Sequence, residues 1–418
     1  MKTVGGLALA VLILLVMVTV HEFGHYLAGK ILKFQINEFA VGFGPALFKK
    51  RSKKTGELFA LRLIPLGGYC AFEGEEDWGE EEQDQSKENQ EESVSLLENS
   101  EETEEFFEND GGRVALNEQQ ALKTSEKEQT EEEEYPKPTG AKFTDQAPWK
   151  RIIVLVAGAT MNYLLALTVL LIMFFSYGCI HSYVAFVGEG EKPVAQENAV
   201  SVGDIVLSVN GHDIYLATDY ADALSGKKQG EEIVVEVLRK NQEGVWEEKT
   251  LRVISAVDCD FKSMTQTGLA CEALGLNAQE VALASVTVKE GFFQTIGASF
   301  TYSFKIGGTV LRSLGELITG RLGLDAMGGP VTTISVTAQA ASQGLLSFLN
   351  IAAFIGVNLA VFNLLPIPAL DGCKVIFCII EWIRKKPVNR TVETWVHLIG
   401  IVALFGFAIL VDVLQLFV

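Results

Sequence analysis

The sequence predicts a polytopic α-helical membrane protein with four transmembrane helices, a membrane-associated β-hairpin and an inserted β-rich domain. Three observations carry that expectation. Four stretches are long and apolar enough to cross a bilayer core, which takes about 20 helical residues. A block broken by glycines follows the first, and short alternating strands separate the second from the third. The 418 residues are 48% hydrophobic and 21% charged, yet the net charge is −19. These values fit together only if acids and apolar residues are segregated. Residues 73–135 hold 25 acidic against 4 basic residues, a net of −21, which leaves +2 for the remainder of the chain. That distribution argues against nucleic acid as a partner and excludes a single soluble domain, a fibrous chain and a disulfide-stapled mini-protein.

The first element, 1–33, runs from Val4 to Val20 and continues through HEFGHYLAG. A cleaved signal peptide is the alternative, but a single Lys2 precedes the apolar run and no small-x-small cleavage site follows it. Residues 34–72 read as strands rich in β-branched and aromatic residues, interrupted by Gly42, Gly44, Gly67 and Gly68. A hairpin there that dips into the membrane needs protein cover for its backbone polar groups. Residues 73–147 lack periodicity and are dominated by Glu, Gln and Ser, the composition of a disordered insertion. The second span occupies 148–178.

Residues 180–257 form a small β-rich module. SVGDIVLSVNGHDI is strand–turn–strand with Asn210-Gly211 at the turn, and EIVVEVLRKNQEGVWEEKTLRVI is an alternating hairpin. Through Gly203, Asp204, Val209, Asn210 and Gly211 this string resembles a PDZ domain of the circularly arranged bacterial kind. A connecting region follows over 258–344. Within it, 292–324 predicts an amphipathic helix or helix pair, with Phe293, Ile296, Phe300, Phe304, Gly307, Leu311, Leu314 and Ile318 three or four residues apart. Such a stripe serves either internal packing or contact with the membrane interface. The third span begins the element 345–393 and the fourth fills 394–418.

Loop charge sets an expected orientation, because Lys and Arg are retained on the cytoplasmic side. Lys30, Lys33, Lys49, Lys50, Arg51, Lys53 and Lys54 follow the first span, Lys150 and Arg151 begin the second, and Arg384, Lys385, Lys386 and Arg390 separate the third and fourth. Alternating spans put all three clusters inside, both termini outside and the β-rich module extracytoplasmic.

His21-Glu22-Phe23-Gly24-His25 is HExxH at the cytoplasmic end of the first span. Two imidazoles four residues apart share one helical face and offer two nitrogens to one Zn2+. Glu22 lies beside them, placed to take a proton from the attacking water. Ionisable residues at the edge of an apolar span are costly, which itself points to function. A catalytic zinc site needs a third protein ligand. His181 and His212 are expected outside, and His397 starts the fourth span without an acidic neighbour. The better candidate is Asp371, in Asn363-Leu-Leu-Pro366-Ile-Pro368-Ala-Leu370-Asp371-Gly372, where two prolines break a membrane helix and a carboxylate follows.

HExxH in the first span, a PDZ-like module after the second and NxxPxPxLDG at the third together resemble the site-2 protease family of intramembrane zinc metalloproteases. The bacterial four-span branch is the nearest pattern. GGYCAFEGEED (67–77), PWKRIIVLVAGATMN (148–162) and MGGPV (327–331) match further family stretches, so the likeness covers nearly the whole chain outside 73–135. Ala159 departs from it, standing where the family usually has Pro. The resemblance implies that His21, His25 and Asp371 bind zinc, that Glu22 is the catalytic base, and that Asn162 and Asn363 position the substrate or its oxyanion. It implies single-span membrane substrates, anti-sigma factors or remnant signal peptides, cut in regulated intramembrane proteolysis in the bacterial inner membrane. The 34–70 hairpin would pair with an unwound substrate strand. The lipid bilayer is the other expected partner. A membrane-anchored PDZ scaffold without proteolytic activity is the alternative from another functional class. Among six cysteines none has Cys-x-x-Cys spacing; Cys259 and Cys271 are open to pairing or to remaining two free thiols.

Overall fold

The computed structural model describes residues 2–75, 135–189, 196–241, 243–263, 266–323 and 328–415. Most of the acidic segment, 76–134, and Met327 of the MGGPV stretch lie outside the described residues. Among the described residues, four helices are long and apolar enough to span a bilayer, covering 5–31, 148–177, 345–364 and 391–415. The protein is a multi-pass membrane protein that carries β-sheet domains. The chain divides into two compact units: Leu14–Gly158 with Asp371–Glu393, and Met1–Ile13 with Ala159–Leu370 and Thr394–Val418.

In the first unit, helix α1 (Lys2–Ile31) leads into strands β1 (Ile36–Arg51) and β2 (Leu58–Phe72). Each strand doubles back on itself. The start of β1 pairs with the end of β2, from Ile36↔Phe72 to Val41↔Gly68, and also lies beside the start of β2, from Glu38↔Leu58 to Val41↔Leu61. The second half of β1 pairs with that same segment of β2, from Ala46↔Arg62 to Arg51↔Leu58. Glycines at positive φ, Gly42 (88°), Gly44 (82°) and Gly67 (108°), supply the reversals that a residue with a Cβ would resist. The result is four adjacent segments rather than one flat ribbon. Phe34, Ile36, Phe72, Phe143, Val154, Leu155 and Cys378 form the core beneath them. Buried Glu57 ties the intervening turn to α1, accepting from Tyr26 Oη at 3.2 Å and pairing with Lys30. The acidic segment's two flanks are joined: Phe143 N donates to the Glu73 carbonyl at 2.7 Å, and Phe34 bridges Ala141.

In the second unit, helix α2 (Pro148–Tyr177), whose first turns belong to the other unit, ends at Gly178 and runs into a six-stranded sheet. Its strands are β3 (Cys179–Phe186), β4 (Ile205–Val209), β5 (His212–Asp213), β6 (Glu232–Lys240), β7 (Trp246–Ile254) and β8 (Val281–Val288), in the order β7-β6-β4-β3-β8 with β5 beside β4. Asn210 (φ 50°) and Gly211 (φ 77°) make the predicted turn between β4 and β5. Helices α3 (Asp219–Leu224) and α4 (Thr267–Ala273) cover a core of Val206, Val209, Tyr220, Ile233, Val235 and Leu274. Cys259 and Cys271 are separate, buried thiols in that core.

Helix α5 (Phe292–Ile318) follows, and its three sides differ. One side holds α3: Lys305 pairs with Asp219 at 3.0 Å, Arg312 with Asp222, and Thr309 meets Thr218. A second side packs small and hydroxylated residues against the membrane helices. Ser303 Oγ lies 2.9 Å from Tyr163 Oη, and Tyr302 Oη donates to Asn350 at 2.9 Å. The third side bears Phe293, Phe300, Phe304, Leu311 and Ile318, all exposed. The periodic stripe is therefore divided: these five are exposed, Ile296, Gly307 and Leu314 are half-buried with Gly307 against Val357 and Val361, and the buried side holds Thr295, Ala298, Ser299, Tyr302, Ser303, Ile306 and Val310.

Helices α6 (Pro330–Gln343), α7 (Leu345–Leu364), α8 (Asp371–Arg384) and α9 (Arg390–Gln415) complete the described chain. Asp412 of α9 caps α6, accepting from Val331 N at 3.1 Å, Thr332 N at 3.4 Å and Thr332 Oγ1 at 3.3 Å.

Candidate metal centre

HExxH lies wholly within α1, so His21 and His25 stand one turn apart on one face. Helix α2 crosses α1 at that level with no room for side chains. A Cβ on Gly24 would lie 2.4 Å from the Ala157 carbonyl oxygen, and one on Gly158 would lie 2.4 Å from His25 Nε2 and 2.8 Å from His21 Cε1. Close approach lets the Val154 carbonyl of α2 meet His25 Nδ1 at 2.8 Å. Donation to a carbonyl puts the neutral ring's proton on Nδ1 and leaves Nε2 as a lone pair.

His25 Nε2 points at two further ligating atoms. His25 Nε2 is 3.2 Å from His21 Nε2 and 3.3 Å from Asp371 Oδ2, while His21 Nε2 is 3.0 Å from the same oxygen. All three side chains are largely shielded from water, and they are the one such metal-suited group among the described residues. Tetrahedral zinc with bonds of about 2.0–2.1 Å separates its ligand atoms by about 3.3 Å, close to the three edges observed. Two imidazoles and a carboxylate converge there, the buried Asp371 Oδ2 has no hydrogen-bond donor, and a pair of histidines with one carboxylate is a normal catalytic zinc set. The residues present fit Zn2+.

Glu22 follows His21 on α1. Gly68 of β2 lies against it, such that an added Cβ would come within 3.2 Å of Glu22 Cγ and 2.8 Å of the Ala40 carbonyl oxygen. The end of the β1–β2 sheet thus passes directly beside the candidate base. Asp371 opens α8. Just before it, in the second unit, Ala369 adopts φ 80°, a left-handed conformation that costs a residue with a Cβ about 1–2 kcal/mol. His397 Nδ1 accepts the Ala369 N–H at 3.2 Å, and Gly400 leaves space for Pro368. His397, unsuited to be a ligand in the sequence, serves the proline-rich turn instead. Asn162 is buried on α2 and Asn363 half-buried in the last turn of α7; both belong to the second unit.

Sequence reasoning singled out the three donors and Glu22 but passed over Gly158 and the Val154 carbonyl. The small residues of VAGA at 156–159, with Gly24, are the signal of two closely crossing helices.

The geometry is that of a candidate metal site of two histidines and one carboxylate, with both histidines on a helix long and apolar enough to cross a membrane. A sequence model of peptidase family M50 matches residues 9–407, and the chain belongs to that family. It is 28% identical to the regulator of sigma-W protease RasP of Bacillus subtilis, over 95% of both chains. Identity to the zinc metalloprotease RasP of Bacillus licheniformis is 27%, over 97% of this chain and 98% of that one. A putative zinc metalloprotease of Clostridium perfringens is 29% identical over 95% and 94%. The protein is an intramembrane zinc metalloprotease.

Proposed function

We propose that the protein hydrolyses peptide bonds within or beside the transmembrane segment of single-span membrane proteins, as a step in regulated intramembrane proteolysis. Anti-sigma factors and remnant signal peptides are the substrate classes; the name of the Bacillus subtilis relative, regulator of sigma-W protease, supports a role in sigma-factor regulation. The observation that carries the reading is the triangle of His21 Nε2, His25 Nε2 and Asp371 Oδ2, with edges of 3.0–3.3 Å beside Glu22. These three atoms would hold Zn2+. Bound there, zinc supplies Lewis acidity to the scissile carbonyl and acidifies the attacking water. Glu22 takes the water's proton and returns it to the leaving amine. Asn162 and Asn363 orient the substrate carbonyl.

A substrate helix hides its carbonyls in its own hydrogen bonds and must unwind to be cut. The 68–72 segment of β2, at the edge of the β1–β2 sheet and beside Glu22, offers backbone partners to the unwound strand. The six-stranded domain is a PDZ-like module outside the cell membrane, with both termini outside and the metal centre toward the cytoplasm; the basic clusters at 30–54, 150–151 and 384–390 support that orientation. There the module excludes substrates with large ectodomains.

The test is zinc content and cleavage of a model single-span substrate in detergent, wild type beside Glu22→Gln. About one zinc per chain in both, with cleavage by wild type alone, is the expected result. Cleavage by the variant at the wild-type rate would remove Glu22 from the reaction, and absence of metal from both would overturn the ligand assignment.

A further inference from the structure

Asp371 is the one candidate ligand that α1 does not carry. What brings it to the two histidines is α8, which presents Asp371, Lys374, Cys378 and Glu381 at spacings of three and four, a single helical face. Each of these residues is engaged within the same compact unit. Lys374 Nζ lies 3.0 Å from Glu75 Oε1, three residues beyond the end of β2, with both side chains mostly shielded. Cys378 is buried in the core with Phe34, Phe72, Val154 and Leu155. The Glu381 carboxylate is gripped by Arg151 through Oε2 and accepts Val388 N at 3.0 Å through Oε1.

The partners of these contacts also carry the rest of the site. Arg151 lies three residues before Val154, whose carbonyl fixes His25. Glu75 continues the strand whose Gly68 borders Glu22. Helix α8 is therefore referenced to the same two elements that set the histidine and the base. We propose that the ion pairs Lys374–Glu75 and Arg151–Glu381 are the positioning pairs that register Asp371 Oδ2 on the two imidazoles, and so set how tightly the centre holds its metal. This rests on Asp371 being the third ligand.

A purely stabilising role is the rival, since ion pairs of this kind are common and of small net worth to folding. The two roles separate by measurement. A stabilising pair lowers the unfolding temperature of metal-free and metal-loaded protein alike. A positioning pair speeds metal release from a protein whose metal-free stability is little changed. Loss of an outer contact to a ligand typically weakens metal binding about ten- to a hundredfold.

The experiment follows zinc transfer from the full-length protein in detergent to a chromophoric chelator, beside the unfolding midpoint of the metal-free form. The variants are Lys374→Met, Glu75→Gln, both together, and the exchanged pair Lys374→Glu with Glu75→Lys; Arg151→Lys probes the more buried pair without removing its charge. Release is expected to quicken about tenfold or more in each single variant. The double variant should be no worse than either, and the exchanged pair should recover most of the loss. Unchanged release, or release that rises only in step with a falling metal-free midpoint, would overturn the proposal. Asp371→Ala runs alongside. If that variant retains zinc like wild type, the ligand assignment itself fails, an outcome distinct from failure of the positioning pairs.

Discussion

Two histidine–carboxylate groups occur in the described chain, one in each compact unit, and their chemistry diverges. In the unit with the six-stranded sheet, His181 Nε2 lies 2.7 Å from Glu290 Oε1, and the ring packs at a tilt against Tyr215. One imidazole meets one carboxylate through Nε2 there, Nδ1 is buried without a partner, and among the described residues no third ligating group joins them. At the candidate metal centre a second imidazole joins, one ring has its Nδ1 against the Val154 carbonyl, and the 3.0–3.3 Å edges match the spacing of ligand atoms around a tetrahedral zinc. Composition alone would rate the two groups alike. What distinguishes the candidate metal site is that three ligating atoms from separate side chains converge on one point.

The largest break in that comparison comes from the ligands. His25→Ala and Asp371→Ala are expected to abolish stoichiometric zinc and proteolysis, while His181→Ala leaves zinc content unchanged; metal analysis of purified protein decides this. Next comes Gly158→Ala. Its methyl group would stand 2.4 Å from His25 Nε2, so α2 must retreat or the ring must turn. A displacement of about 1 Å at a reacting centre costs on the order of a hundredfold in rate, and cleavage assays should show that with the fold intact.

A third carboxylate sharpens the contrast from the other side. Asp412 faces backbone and hydroxyl donors at the start of α6 and has no need of a cation. Asp412→Ala should cost about 0.5–2 kcal/mol of stability, as loss of a helix cap does, with no change in zinc affinity. The smallest effect concerns pH. The hydrogen bond from His181 holds the Glu290 carboxyl below its usual range. A depressed native pKa contributes stability that is present above the unfolded value of about 4.3 and is lost as pH falls through the native one. Glu290→Gln should therefore flatten the loss of thermal stability below about pH 4.3 and leave neutral-pH cleavage unaltered.

Much of the site was legible in the sequence because its signals are local. HExxH needs only helical periodicity, and two prolines followed by Leu370-Asp371-Gly372 announce a carboxylate at a broken helix. The Asn210-Gly211 turn reads from two residues. The elements that escaped notice depend on contacts distant in the chain. Gly158 matters because α2 crosses α1, and Lys374 matters because Glu75 lies opposite. The doubling-back of β1 and β2 follows from which segments find each other, which alternation alone does not encode. The α5 stripe shows a different limit: periodicity marks apolar positions, but which of them meet the protein and which stay exposed depends on neighbours distant in the chain.

That three-sided helix has a mechanical consequence. Because α5 is bonded along one side to α3 and along another to the membrane helices α2 and α7, the sheet domain is mounted on a stiff bracket rather than hung from a tether. A tethered domain samples many heights above the bilayer and discriminates gradually. A bracketed one leaves a fixed clearance. Acting as the proposed size filter, it would work as a gauge, with cleavage falling over a narrow range of substrate ectodomain length, and cutting the Lys305–Asp219 and Arg312–Asp222 ties should blur that threshold before it moves it.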